Sequence, residues 1–369
     1  MPADYHKDLD RWITRLERTA GSTLARPPGG AMFDVKAVGQ AVRTLSLGLT
    51  RDRELAGAKY MDDPKLLAAY LLFYWPVSYA QAREVLGELG TRPREVLDLG
   101  SGPGPMAFAA LDAGAADVTA ADRSTRALDL AKRLALEAET GLATREWNPD
   151  KPLPDGQFDL ISMGHLLNEL PEPKRVPLVE AALAKLRPRG SVVIIEPALR
   201  DTSRGLLRLR DALVAKGYAV RAPCLFRGAC PALVKESDWC HAERTWRMPA
   251  LVENLARVAQ LHKEALKMSY LVLAPKGEAW REPPPGQVFR IVSEPLEGKG
   301  RQRYMGCGPT GRIGLAMQHK HANPQTEAFM RLQRGDVVEL TGTEAKGDGL
   351  AVSEGGAVKV IAPAGKPVT

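Results

Sequence analysis

Glu95-Val96-Leu97-Asp98-Leu99 runs directly into Gly100-Ser101-Gly102-Pro103-Gly104, and a helical stretch from Met106 to Ala113 follows. A short apolar run that closes on glycines and reopens as a helix constrains the chain to a strand–loop–helix unit. A second strand, Asp117–Ala121, ends at Asp122 and leads into a helix over Thr125–Glu139. Further strands at Phe158–Met163 and Ser191–Ile195 alternate with helices at Pro173–Leu186 and Gly205–Lys216. That alternation predicts an α/β protein with a doubly wound, mostly parallel sheet.

The glycine loop also restricts the ligand. Backbone can approach a nucleotide-like group only where no side chain stands in the way, which asks for glycine at Gly100, Gly102 and Gly104. A dinucleotide fingerprint wants Gly or Ala next, but this chain has Pro105, and no Lys-Ser/Thr pair makes a P-loop. Both departures favour S-adenosylmethionine, which has no phosphate to cradle. Asp122, at the end of the second strand, is placed to accept both ribose hydroxyls. Asp98 is expected to orient the loop, or the methionine amine through water.

Outside this core the chain divides into residues 1–92, helical, with periodic apolar stretches at Phe33–Leu49 and Pro64–Leu89; 93–295, the sheet; and 296–369, a Gly- and Arg-rich appendage of short strands. Phe73, Tyr74, Trp75 and Tyr79 around Pro76 are read as packing. A Pro-rich segment at 219–249 interrupts the alternation. A helix over Leu251–Lys267 and strands at Ser269–Ala274 and Gln287–Ser293 resume it. No apolar run approaches the ~20 residues of a bilayer span, so no membrane contact is expected. The start, MPADYHKDLDRW, resembles neither a signal nor a transit peptide, which predicts a cytoplasmic protein with reduced thiols.

Cys224, Cys230 and Cys240 fall within the interruption, and Cys307 lies far downstream. This is not zinc-finger spacing, which favours C-x2–4-C pairs. It is compatible with an iron–sulfur cluster, whose thiolates can come from independent turns. Spacing alone predicts a metal and leaves the element open between iron–sulfur and zinc, with His241 as a substitute ligand. Cys224 as a ligand outranks Cys224 as a nucleophile. Lys and Arg outnumber Asp and Glu 51 to 44, and the excess is concentrated in Lys185–Arg247 (thirteen against six) and Arg281–Arg334 (nine against four). Arg204, Arg208, Arg210, Arg221 and Arg227, with Arg301, Arg303 and Arg312, are the expected phosphate contacts of a nucleic-acid partner.

The strand, loop, helix and acid together resemble the class I SAM-dependent methyltransferases, with a Rossmann-like sheet. Under that resemblance the cofactor set is Asp98, Gly100, Ser101, Gly102, Gly104, Asp122 and Arg123. Asn148 falls at the adenine position, and Met163 and His165 at the fourth-strand edge beside the methyl group. That edge reads Ser162-Met163-Gly164-His165, without the Asn/Asp-Pro-Pro-aromatic tetrapeptide of amino-directed base methyltransferases. His165 is read as a polar rim residue, with general-base work the lesser reading.

Four stretches are more specific: VLDLGSGPG at Val96–Gly104, LNEL at Leu167–Leu170, APCLFRGACPALVKESDWCH at Ala222–His241 and GCGPTGR at Gly306–Arg312. Together they resemble the methyltransferase-like assembly factors of the mitochondrial ribosomal small subunit and their bacterial relatives, over roughly Tyr60 to Asp336. The resemblance implies that Cys224, Cys230, Cys240 and Cys307 hold a [4Fe–4S] cluster. It also implies that the protein, a monomer off the ribosome, binds small-subunit rRNA or its precursor particle during assembly. The alternative is a catalytically active RNA or protein methyltransferase with a structural zinc.

Overall fold

A computed structural model describes residues 5–24, 31–51, 55, 60–262, 264–280 and 282–368. Four helices come first: α1 (His6–Thr23), α2 (Val35–Ser46), α3 (Pro64–Ala69) and α4 (Trp75–Gly87). In α1 the buried residues Leu9, Trp12, Leu16 and Ala20 recur every three or four positions, which lays one stripe against the core. The periodic stretch expected over Pro64–Leu89 is α3 and α4 joined by a π-turn, Tyr70–Tyr74. Pro76 follows in the first turn of α4, where its missing N–H is tolerated. The aromatic cluster is packing: Trp75 and Tyr79 stack at 5.3 Å between centroids, with Trp12 and Phe108 against Trp75.

The sheet follows as β1 (Glu95–Leu99), α5 (Pro105–Asp112), β2 (Asp117–Asp122), α6 (Thr125–Glu137), β3 (Ala143–Glu146) and β4 (Phe158–Gly164). It continues with α7 (Glu172–Ala184), β5 (Leu186–Pro197), α8 (Arg200–Ala215), β6 (Val220–Ala222), β7 (Ala242–Thr245), α9 (Ala250–Ala259) and β8 (Ala265–Leu273). The strand order is β3-β2-β1-β4-β5-β8-β6, with β1 to β5 parallel and β8 antiparallel to its neighbours. Helices cover both faces and bury two apolar layers. One includes α1 to α4, and the other lies around α7 and α8. The helix expected through Lys267 instead stops at Gln260, whose left-handed backbone (φ 57°) ends α9, and the remaining residues enter β8.

β6 and β7 share the far edge of β8: Val220 faces Leu273, and Ala242 to Thr245 face Met268 to Ala265. They are two halves of one edge strand, and the segment 223–241 leaves the sheet between them. All the upstream cysteines lie on that excursion.

The second sheet is formed by β9 (Gln287–Ile291), β10 (Leu296–Gly298), β11 (Arg301–Gly308), β12 (Gly311–Gln318), β13 (Val337–Lys346) and β14 (Gly349–Ala362). Its order is β10-β11-β12-β14-β13-β9, and β9 returns to pair with β11. Five strands therefore close into a barrel around Phe289, Tyr304, Leu315, Phe329 and Val338. Only β12 and β14 run parallel, and two short 3-10 turns connect β12 to β13. This is the connectivity of an OB-fold. The barrel starts at Gln287, ahead of the break expected at 295, because the Pro-rich 282–286 stretch and not Pro295 is the linker.

Barrel, sheet and helices meet at one buried carboxylate. Glu88, after α4, is 2% exposed at its side chain and accepts from Tyr270 Oη on β8 (2.6 Å) and Arg244 on β7 (2.9 Å). Arg290 on β9 stands 3.4 Å away.

Candidate functional site

Two places collect chemistry, and they lie in different parts of the fold. At the first, β1 turns into α5 through Gly100, Gly102 and Gly104, all left-handed with φ of 66°, 52° and 83°. Such angles are costly for any residue with a Cβ. The amides of Gly100 and Ser101 bond the Ala121 carbonyl, and the Gly102 amide donates 2.7 Å to Asp122. The indole of Trp75 donates to the Pro103 carbonyl at 3.1 Å, so the helical layer fixes the loop from behind.

Asp98 lies beneath the loop. It accepts the Ala107 amide (3.1 Å) and the Ser162 hydroxyl (2.7 Å), and burial pushes its carboxyl up to about 7. These bonds tie the end of β1 to the first turn of α5 and to β4. Asp122 spends its second oxygen on the Ser124 amide (2.8 Å), and burial raises its pKa. Arg123 stands 3.6 Å from Glu169. Asn148 caps its own turn by accepting the Asp150 amide (3.0 Å), beside Trp147, whose amide bonds the Asp122 carbonyl. Met163 departs from expectation. It is fully buried in the core between β1 and β5, so its side chain packs the sheet and does not line a cleft. His165 is half-buried, left-handed at φ 58°, and its amide bonds the Ile195 carbonyl.

Residues missed in the sequence complete this place. A Cβ on Gly102 would lie 3.5 Å from Met61 and 3.9 Å from the Tyr70 hydroxyl, and one on Gly100 would strike Leu166. Burial, with Glu169, Tyr70 and Asp122 nearby, holds the Tyr60 phenol well above its ordinary value. The LNEL turn is a 3-10 turn whose Leu167 amide bonds Glu196 (2.9 Å), a buried acid raised to about 7. No motif marks Tyr60, Met61 or Tyr70, because they reach the loop only through the docking of the helical layer.

The second place is a cavity where the excursion, α8, β8 and the barrel meet. It holds about 830 Å3 of atom-free space, partly open to solvent, and all four cysteines line it, with His241, Arg244, Arg290, Arg312 and Arg334. The excursion supplies three thiols, and β11 brings Cys307 from the barrel. Burial pushes Cys240 up to about 11 and Cys230 to about 12, with neighbouring thiols adding to the shift. Burial likewise lowers His241 to about 4. Among the described residues no three His, Cys, Asp or Glu side chains converge closely enough to hold one metal ion. A single-ion site, zinc included, is thus not seen in the 219–249 insertion.

Arginines hold this cavity together. Arg204 donates to the carbonyls of Ala232, Lys235 and Asp238 (3.1, 2.8 and 2.6 Å), and Arg210 to those of Phe226 and Gly228. Arg312 pairs with Asp238 at 2.5 Å and so ties β12 to the excursion. Arg208 pairs with Glu172, Arg221 with Glu278 and Arg227 with Glu282. Of the arginines expected to contact phosphate, Arg204, Arg210 and Arg312 are committed within the fold, whereas Arg208 and Arg227 stay exposed in surface ion pairs. Around the cavity the Nε atoms of Arg244, Arg290 and Arg312 and Nδ1 of His241 are buried without a hydrogen-bond partner among the described residues.

The family model of the mitochondrial small ribosomal subunit protein Rsm22 matches residues 64–338. The chain belongs to the Rsm22 family. Its first sheet is a doubly wound, mostly parallel Rossmann-like α/β sheet, joined to a second, β-rich sheet. It is 34% identical over 125 residues to the ribosomal protein L11 methyltransferase of Pelobacter propionicus, covering 34% of this chain and 36% of that protein. It is 31% identical over 119 residues to the ubiquinone biosynthesis O-methyltransferase of Bordetella avium, covering 32% and 47%. The chain thus spans less than half the length of these curated relatives. Among solved structures, an O-methyltransferase family protein from Burkholderia thailandensis is similar at TM-score 0.41 and 14% identity, covering 68% of this chain and 75% of that one. TrmN from Thermus thermophilus is similar at TM-score 0.36 and 20% identity, covering 56% and 53%. In this Rsm22-family chain the matched span contains the glycine loop and all four cysteines.

Proposed function

We propose that this protein acts in assembly of the ribosomal small subunit, binding S-adenosylmethionine at the Gly100–Gly104 loop and a [4Fe–4S] cluster on Cys224, Cys230, Cys240 and Cys307. The family supports the ribosomal partner, and two relatives named as methyltransferases support the cofactor. One observation carries the reading: thiols distant in sequence line one cavity, with buried arginine Nε–H groups around it that have no acceptor among the described residues.

The fit is chemical. A cluster spreads its ligands over a body larger than a single ion and carries net negative charge with its four thiolates. Arg244, Arg290 and Arg312 pair with Glu88 and Asp238 through their terminal nitrogens, and their Nε–H groups, without a hydrogen-bond partner among the described residues, can donate to the cluster's sulfur atoms. Once bound, the cluster supplies a crosslink between the excursion and the barrel. The chain's own residues do the rest: Arg204 and Arg210 shape the excursion, and Asp122 at the end of β2 faces the ribose beside the side-chain-free loop.

Anaerobic purification followed by iron, sulfide and zinc analysis, with a visible spectrum, is the test. About four irons per chain are expected, and replacing Cys307 by Ser should remove as much iron as replacing Cys230. Full iron retention in Cys307→Ser would exclude it as the fourth ligand and make His241 the first candidate. Stoichiometric zinc without iron would sink the cluster reading.

A further inference from the structure

In β11, residues alternate between the barrel core and its outer side. Gln302, Tyr304, Gly306 and Gly308 are buried, whereas Arg301, Arg303, Met305 and Cys307 face outward. This outer edge runs from a cavity-lining thiol at one end to two arginines at the other. Register sets Arg301 opposite Gln318 and Arg303 opposite Ala316 on β12, with Leu296 of β10 flanking Arg303. Lys299 lies before β11, and Lys320 in the turn after β12; both are exposed, as are Arg301 and Arg303. Among the described residues none of these four cations has an ion-pair or hydrogen-bond partner, in contrast to Arg204, Arg208, Arg210, Arg221, Arg227 and Arg312.

Between the cations the surface is low. Gly314, Ala316 and Ala351 form its floor, and a Cβ added at Gly314 would meet nothing within 4 Å. The β13–β14 turn brings Lys346 to the far side of that floor, and Glu344 marks its acidic limit. In OB-folds the face of the second and third barrel strands, with the loops flanking it, is where oligonucleotides or oligosaccharides lie. Here β11 and β12 are those strands. A sugar site would require aromatic platforms, but this face presents uncompensated cations over small side chains, which suits a polyanionic backbone.

We propose that the outer face of β11 and β12 binds the phosphodiester backbone of single-stranded RNA through Lys299, Arg301, Arg303 and Lys320. The proposal rests on the ribosomal reading only for which RNA is bound. With no aromatic side chain on the outer positions of β11 and β12, contact is to phosphates and is indifferent to base identity.

The test uses full-length, anaerobically purified protein and a labelled uridine homopolymer of about 15 nucleotides, followed by anisotropy across a salt series. The combined variant Lys299→Ala, Arg301→Ala, Arg303→Ala and Lys320→Ala should bind on the order of tenfold more weakly at ~50 mM salt. Its log–log salt slope should be shallower by roughly 0.7 for each phosphate no longer neutralised. A charge-matched variant, Lys36→Ala, Lys132→Ala, Arg133→Ala and Arg257→Ala, should keep wild-type affinity and slope. Equal behaviour of the two variants overturns the proposal. Iron content and SAM affinity, measured on the same samples, separate the readings. Intact RNA binding without iron or SAM leaves this face standing and removes the cofactor reading. Intact cofactors with no RNA binding do the reverse.

Discussion

Gly102 carries three constraints at once. Its backbone is left-handed, its amide holds Asp122, and its missing side chain leaves room beneath Met61 and Tyr70. Gly102→Val should therefore abolish SAM binding in calorimetry, because valine is strained at this φ and fills the approach; unchanged affinity would place the cofactor elsewhere. Asp98 makes a different prediction. Its folded-state pKa of about 7 lies above the ~3.9 of an unfolded chain, so folding binds a proton more tightly. Its contribution to stability is then complete below about pH 4 and is lost as pH rises through 7. Glu196, also raised to about 7, acts in the same direction. Urea denaturation should show lower stability at pH 8 than at pH 5. Asp98→Asn should reduce that difference by on the order of 2–4 kcal/mol, and an unaltered difference would mean the carboxyl ionises freely in the fold.

At the scale of elements, the buried Glu88 joins α4 to β7, β8 and β9. Replacing it with Gln keeps its volume but leaves Arg244 and Arg290 without their shared carboxylate. Removing one partner of a buried pair costs about 3–5 kcal/mol, and Glu84, 4.0 Å from Arg244, offsets only part of that. Glu88→Gln should lower the unfolding free energy accordingly and loosen the barrel first, read as faster amide exchange in β9 than in β1. Uniform exchange throughout would show that the barrel does not depend on this contact. The split edge strand has a similar logic. β6 and β7 stay in line on β8, so an excursion can leave and return without disturbing the sheet, and Arg204 holds the excursion by binding four of its carbonyls.

For the whole molecule, the cysteine cavity sits where the α/β sheet meets the barrel, and the exposed cations lie at the other end of β11. A bound cluster would close a long loop between Cys240 and Cys307, a constraint whose value grows with loop length. Cys307→Ser should accordingly expose the 282–286 linker to proteolysis while the glycine-loop half resists. Identical digestion of variant and wild type would show that Arg312–Asp238 and Glu88 suffice to dock the barrel. Much of this architecture is written in local pattern. The apolar run of β1 and its glycines specify strand, left-handed loop and helix through neighbours a few residues apart, and the three clustered cysteines share one excursion from the sheet. What tertiary structure alone decided involves distant partners. The closure of β9 on β11 makes a barrel from strands that read singly as an appendage. The seating of Met61 and Tyr70 covers the loop. The fate of each arginine depends on which carboxylate or carbonyl folding brings beside it: Arg204, Arg210 and Arg312 look as basic in sequence as Arg301 and Arg303. Charge is a property of the residue, but whether it is spent inside the fold or left for a partner is a property of the packing around it.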